Sequence, residues 1–442
     1  MKKNTNKKIL SIMFILLFFI TIITAVNTSD DTNTTKNTIS DDNSISTIKS
    51  DANIAINDNN IKKSNIKNNT ISTKEKTKQN KKESTVNSFD ELYEKIEDIK
   101  TNSNDQSETI NLNPGNYYIT KTINWEGSKT TKTLTINGNQ ITLDGQKQYQ
   151  FITVAEGYTL NLANITINNC QSEEGSVINN NGTVKIENSN FNSNNGNNGG
   201  VNYNTGNLTI ENSNFNSNNA GSGGVNYNQN GNITIENSNF NNNNATDGGV
   251  NHNGGNLIIE NSNFTQNSAG NYGGVNYNGG NITIENSNFT QNKATANGGI
   301  NYNYVYGNIT INNSNFTQNN ATNGGVNSNN NNGNLTIENS NFTQNKATEY
   351  GGVNSNGAIL TINNSNFTDN KATYGGVNNN RGGNLNIINS NFNSNTATAN
   401  GGVNHNSWWG TLTINNSNFT DNNITSPDSN GLGGVIYNED ET

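Results

Sequence analysis

From residue 184 onward the apolar positions of the chain fall into a fixed order. A pair alternates with polar residues, as at Leu208 and Ile210 or Ile233 and Ile235; then comes a lone phenylalanine, then a small residue, then an aliphatic residue after two glycines. Period-2 alternation buries one face of a strand and wets the other. The phenylalanines are Phe191, Phe215, Phe240, Phe264, Phe289, Phe316, Phe342, Phe367, Phe392 and Phe419, with neighbours separated by 24 to 27 residues. Each has asparagine at the third position after it, and each block reaches a Gly-Gly-aliphatic step, from Val201 to Val435. A unit of this length is too short for two packed helices, and its β-branched, glycine-punctuated text disfavours helix. It suits one turn of a three-strand coil. Strand one would be Gly-Gly-Val-Asn-Tyr-Asn, strand two Asn-Leu-Thr-Ile-Glu-Asn and strand three Ser-Asn-Phe-Thr-Gln-Asn, with the alanine of Lys-Ala-Thr tucked inside a corner. The expected fold is therefore all-β: a right-handed, single-stranded parallel β-helix with about 25 residues per coil over 184–442.

Four large apolar side chains per coil do not offset the ordering of a whole coil, so single repeats should be unstable and the array cooperative. Asparagine supplies an additional tie. It recurs after the aliphatic residue (Asn202, Asn226, Asn251, Asn276) and before the serine (Asn188, Asn212, Asn237, Asn261). Stacked at about 4.8 Å, identical amides can donate to one neighbour and accept from the other.

Ahead of the repeats the pattern changes. Phe89, Leu92, Tyr93, Ile96 and Ile99 fall at helical spacing behind Ser88, a candidate N-cap. A short amphipathic helix there would cap the open end of the solenoid. The pieces Thr-Ile-Asn-Leu, Tyr-Tyr-Ile-Thr and Thr-Leu-Asn-Leu-Ala, punctuated by Asn-Gly and Asp-Gly, read as strands of the first coils, so 88–183 forms the cap and leading turns. Residues 27–87 are polar and aperiodic and read as a flexible tether. At the start, Lys2, Lys3, Lys7 and Lys8 precede an apolar run over 9–26, the pattern of an export signal or an N-terminal membrane anchor. Either places the body at the cell surface or outside the cell, with the membrane touched only through this segment.

Composition narrows the function. Asparagine is about a quarter of the chain, and 29% of residues are hydrophobic, too few for a thick globular core. The formal net charge is -9, and most lysines precede residue 151. The long acidic part argues against nucleic acid as a partner. Cys170 is the one cysteine, so no intrachain disulfide can form.

The chemistry-bearing residues do not cluster. Glu187, Glu211, Glu236, Glu260, Glu285 and Glu338 share one repeat position, which alternation turns outward, and an outward stripe reads as a solvated face. His252 and His405 occupy the slot that holds Tyr203, Tyr227, Tyr277 and Tyr302 in other coils. The calcium-binding Gly-Gly-x-Gly-x-Asp repeat is absent, so no metal or cofactor is expected. Two turns stand out: Tyr304, Val305, Tyr306 and Gly307 in one coil, and Ser407, Trp408, Trp409 and Gly410 in another. Tyr304, Tyr306, Trp408 and Trp409 are the candidate ligand-binding residues, since exposed aromatics stack on sugar rings or anchor protein partners; packing over the turn's own edge is the alternative.

The anchors Phe-x-x-Asn and Gly-Gly-aliphatic resemble the repeats of chlamydial polymorphic outer-membrane proteins. The whole text, with Asn-Ser-Asn-Phe-Thr-Gln-Asn and Gly-Gly-Val-Asn-Tyr-Asn, looks like the adhesin-like surface proteins of gut methanogenic archaea, and the region from 88 resembles the leading coils of pectate-lyase-like β-helices. The resemblance implies surface display and binding to host, microbial or glycan partners, not catalysis. A structural coat or spacer without a ligand is the next reading, and a polysaccharide lyase or hydrolase the third. An open strand edge at the end of the stack would allow end-to-end self-association.

Overall fold

The computed structural model describes residues 83–330, 333–426 and 431–439. The apolar run over 9–26 and nearly all of the segment read as a tether lie outside them. Among the described residues no helix is long and apolar enough to cross a membrane.

Among the described residues the chain winds into a parallel β-solenoid with four sheets, of 14, 13, 13 and 11 strands. The first two coils pass through three of them, and from Thr159–Ala163 on the coils visit all four in the same order. Asn232–Glu236 lies in a leucine/isoleucine sheet, Asn239–Asn241 in a phenylalanine sheet, Asn244–Asp247 in an alanine sheet and Asn251–Asn253 in an asparagine sheet. All neighbours pair in parallel, with like core residues in register, for example Ile233 with Leu257, Phe240 with Phe264, and Asn251 with Asn276, while the alanine sheet shifts register in several pairs. The fourth sheet corrects the three-strand expectation. The Lys-Ala-Thr segment is no mere corner: it forms short strands of its own, and its alanine, such as Ala269, Ala294 or Ala321, points inward.

Inside, the repeat buries what alternation assigns to the core. Val250, Leu257, Ile259 and Phe264 are all at 1% exposure or less. The phenylalanine rings stack face to face along the axis with centroids 4.8 to 4.9 Å apart, from Phe191 to Phe419. That distance is the coil rise, so the inter-strand spacing of the sheet sets it.

Three amide ladders also run inside the wall. In the first, Nδ2 of each asparagine from Asn202 to Asn378 donates to Oδ1 of its counterpart one coil on, at 2.7 to 2.9 Å. A head-to-tail ladder must leave one group over at each end. The groups left are Asn202 Oδ1, beside Ile178, and Asn404 Nδ2, beside Ile436. A second ladder runs from Asn180 to Asn406. The third uses the asparagine of Phe-x-x-Asn. Asn292, for instance, accepts from both nitrogens of Asn267 and donates to Asn319 Oδ1 and to the carbonyl of Phe264. Apart from those two end groups, these buried amides take the place of apolar residues with their hydrogen bonds made.

The asparagines before the serine do something else. Asn188, Asn212, Asn237 and Asn261 have φ of 49 to 50° and turn the corner between the first two sheets, a left-handed position that asparagine tolerates better than most residues. The ladder expected at this position forms only in later copies, where Asn364 Nδ2 donates to Asn339 Oδ1 and Asn416 Nδ2 to Asn389 Oδ1; at the four named here the serine that follows, such as Ser213, accepts from the backbone of the preceding coil.

The N-terminal cap is helical as expected. Helix α1, Phe89–Asn102, starts at Ser88, whose side chain accepts from the Glu91 backbone, while Glu91 reaches back to the Asn87 N–H. Phe89, Leu92, Ile96 and Ile99 bury against the first coil. Order begins earlier than the helix, however. Glu83–Val86 pairs with Ser107–Leu112 as the first strand of the leucine/isoleucine sheet. Val86 is its single core residue, too little for a sequence pattern to register.

Candidate functional site

Ten copies in one chain separate what the coil requires from what it permits. Inward positions hardly change. Outward positions on the leucine/isoleucine and phenylalanine sheets are mostly repeated Thr, Glu and Asn. Variation concentrates on the outer face of the asparagine sheet and the two edges that border it.

The central row of that face is the outward slot between two buried asparagines. From the N-terminal side it holds Tyr203, Tyr227, His252, Tyr277 and Tyr302, then Ser328, Ser355 and Asn379, then His405 and Tyr437. The first group stacks: Tyr203 on Tyr227 at 5.3 Å, Tyr227 on His252 at 4.5 Å, and His252 near Tyr277 at 4.7 Å. His405 and Tyr437 stack at 5.4 Å. Between the two groups the aromatic row is interrupted for three coils.

A groove of about 580 Å³ lies over the interruption. Ser328, Ser355 and Asn379 line it, with Tyr350 and Tyr374 along one edge and Gly357, Arg381 and Trp408 along the other. Tyr350 and Tyr374 occupy the position just before the Gly-Gly pair and stack at 5.2 Å. The Arg381 guanidinium lies 3.9 Å from the centroid of Trp408, a cation–π contact. His405 closes one end: its Nδ1 meets Asn379 Oδ1 at 2.8 Å and its Nε2 lies 3.9 Å from Glu439. Burial lowers the His405 pKa, against the pull of Glu439.

The four candidate aromatics share one ridge, the turns leaving the asparagine sheet, and the two pairs sit four coils apart, about 19 Å at the coil rise. They differ in use. Tyr304 packs on its own protein, 4.5 Å from Tyr277 and over Gly279, so local packing accounts for it. Tyr306 is 72% exposed and Trp409 80%. Trp408 is half exposed and borders the groove.

The tryptophan turn is costly to make. Trp408 and Trp409 both have φ of 56°, and the Gly410 N–H closes the turn on the Ser407 carbonyl at 3.1 Å. Turns with two left-handed central residues normally use Asn-Gly, and a bulky residue there costs about 1–2 kcal/mol. The strain holds two indoles at the surface.

No protein-family model matches the chain, and no curated protein matches it. Among solved structures, two of the Streptococcus pneumoniae surface adhesin PfbA are similar at 10% identity. One aligns over 79% of this chain and 96% of that one with a TM-score of 0.31, the other over 76% and 88% with a TM-score of 0.29. The architecture described above rests on the coil geometry itself.

The aromatic cluster beyond the groove carries the chain's most perturbed histidine. Burial pushes the His252 pKa down from 6.5 to about 4, and its Nδ1 has no hydrogen-bond partner among the described residues. The unfolded chain therefore binds a proton between these values that the folded one does not. Stability should be complete above pH ~6.5 and fall as pH drops to ~4, by at most about 3 kcal/mol. His252→Tyr, the residue of the neighbouring coils, should flatten that part of a plot of urea midpoint against pH; an unchanged slope would assign it elsewhere.

Among the described residues no group of three or more His, Cys, Asp or Glu is placed to hold a metal. The glutamate stripe faces outward in register, Glu211 beside Glu236 and Glu236 beside Glu260. Cys170 is buried, and burial raises its thiol pKa.

Proposed function

We propose that this chain is an exported, adhesin-like surface protein whose β-solenoid is a rigid carrier for binding host, microbial or glycan partners. The observation that carries the reading is the strained turn at Trp408 and Trp409. Backbone strain in a bulky pair that the coil does not need, with one indole 80% exposed, is what a binding anchor requires and what a spacer does not. The acidic, asparagine-rich surface suits hydroxyl-bearing or protein partners, not nucleic acid. A sugar-cleaving role is less well supported: Glu439 is the only carboxylate among the described groove residues, whereas glycoside hydrolysis uses a pair. Export and surface retention rest on the sequence pattern at 1–26.

The test is saturable binding of the full chain to cell surfaces and to a glycan panel, beside Trp408→Ala/Trp409→Ala. Binding that the variant weakens by about tenfold or more supports an adhesin. A folded chain that binds nothing points instead to a structural spacer.

A further inference from the structure

Resting on that reading, we propose that the groove over Ser328, Ser355 and Asn379 is the ligand site, and that its ligand is a neutral carbohydrate chain lying along the solenoid axis. The groove exists because three successive coils place small polar residues where five earlier coils place Tyr or His. Its floor crosses three coils, with Ser328 and Asn379 two coil rises or about 10 Å apart, so it suits a short extended run of sugar units.

The lining matches a pyranose chain. Such rings present apolar C–H faces and hydroxyl edges. Tyr350 and Tyr374 on one side and Trp408 on the other offer aromatic faces. The Ser355 hydroxyl offers a donor and an acceptor between them, while Ser328 and Asn379 lie deeper, Ser328 Oγ accepting from Asn330 Nδ2 and Asn379 Oδ1 meeting His405 Nδ1. Arg381, the one arginine in the chain, holds its guanidinium 3.9 Å over the Trp408 ring centroid, a contact that does not use its N–H donors. With Glu439 near the same end, positive charge is offset, so a neutral ligand is favoured over an anionic one.

A peptide fits less well. Extended peptides bind by adding to an unpaired strand edge or by filling apolar pockets. The floor here is the middle of a sheet whose backbone groups pair coil to coil, as Asn327 with Asn354 and Asn354 with Asn378, and its side chains are polar.

The test restores the aromatic row. Ser328→Tyr/Ser355→Tyr/Asn379→Tyr places in three coils the residue that Tyr203, Tyr227, Tyr277 and Tyr302 already place in others. The full chain and this variant are titrated with neutral oligosaccharides of glucose, xylose, mannose and N-acetylglucosamine, and assayed for cell binding; thermal unfolding checks that the variant folds. Asn379→Tyr alone serves if the triple change does not fold. Oligosaccharide binding by the chain that the filled groove weakens by about tenfold or more supports the inference. Equal oligosaccharide binding by both overturns it and leaves the adhesin reading intact, as does cell binding without any oligosaccharide binding. Loss of both kinds of binding in the unaltered chain overturns the inference and the adhesin reading together.

Discussion

Replacing Asn292 with leucine is expected to destabilise the solenoid by about 3–5 kcal/mol, although asparagine is polar and leucine fits cores. The reason is what the amide closes. Its Oδ1 accepts from the backbone and side-chain nitrogens of Asn267, and its Nδ2 donates to the Phe264 carbonyl and to Asn319. Leucine strands the Asn267 backbone N–H away from water at about 1–3 kcal/mol, and the Phe264 carbonyl, the Asn267 side chain and the Asn319 Oδ1 each lose one of their partners. Because coils support one another, the loss should appear as a lower urea midpoint of the whole array. Asn288 is the control. It lies in an outward ladder that donates in the opposite sense, to Asn263 Oδ1, with its side chain exposed. Asn288→Ala should stay within about 0.5 kcal/mol of the unaltered chain. Comparable losses at the two positions would remove the buried ladder from the account of stability.

Gly299→Ala is expected to cost about 3 kcal/mol or more. The two glycines of each coil answer different demands. Gly298 takes φ of 68°, where a side chain is strained. Gly299 passes so close to the next coil that an added Cβ would lie 2.1 Å from the Gly325 carbonyl oxygen and 2.9 Å from that of Asn320. Both are backbone atoms held by the inter-coil bonding, so neither can yield without parting the coils locally. Gly270 offers the contrast: its added Cβ would meet nothing nearer than 3.6 Å, and alanine there should be neutral or slightly stabilising. Thermal unfolding of both variants checks the pair; equal midpoints would mean the Gly-Gly step is not set by coil spacing.

Much of the fold is legible in the chain because ten copies repeat the same inward residues. The alternation at Leu208 and Ile210, the lone Phe215 and the helix behind Ser88 each carry their own period, and each takes its expected place. The alanine sheet is harder to read, since one small inward residue among Thr, Asn and Tyr produces no alternation. Asparagine is ambiguous for a different reason. The same residue closes a buried ladder at Asn202 and turns a left-handed corner at Asn212, and only the direction of the side chain separates the roles. The candidate site was half visible. Trp408 and Trp409 stand out as an irregular turn, whereas the groove beside them is made by what Ser328, Ser355 and Asn379 lack, across coils more than 20 residues apart in sequence. Arg381 carried no signal in its glycine-rich turn; its place under Trp408 depends on the coil register.

The central claim is that binding belongs to one face of a solenoid whose other outer faces serve the coil. The cell-binding comparison tests it most directly when run face by face. Trp408→Ala/Trp409→Ala alters the ridge beside the asparagine sheet, and Thr290→Ala/Thr317→Ala/Thr343→Ala alters outward positions in register on the phenylalanine sheet. The account predicts that the first variant loses binding and the second keeps it, with both still folded. Equal loss from the two, or loss from the threonine variant alone, would contradict it.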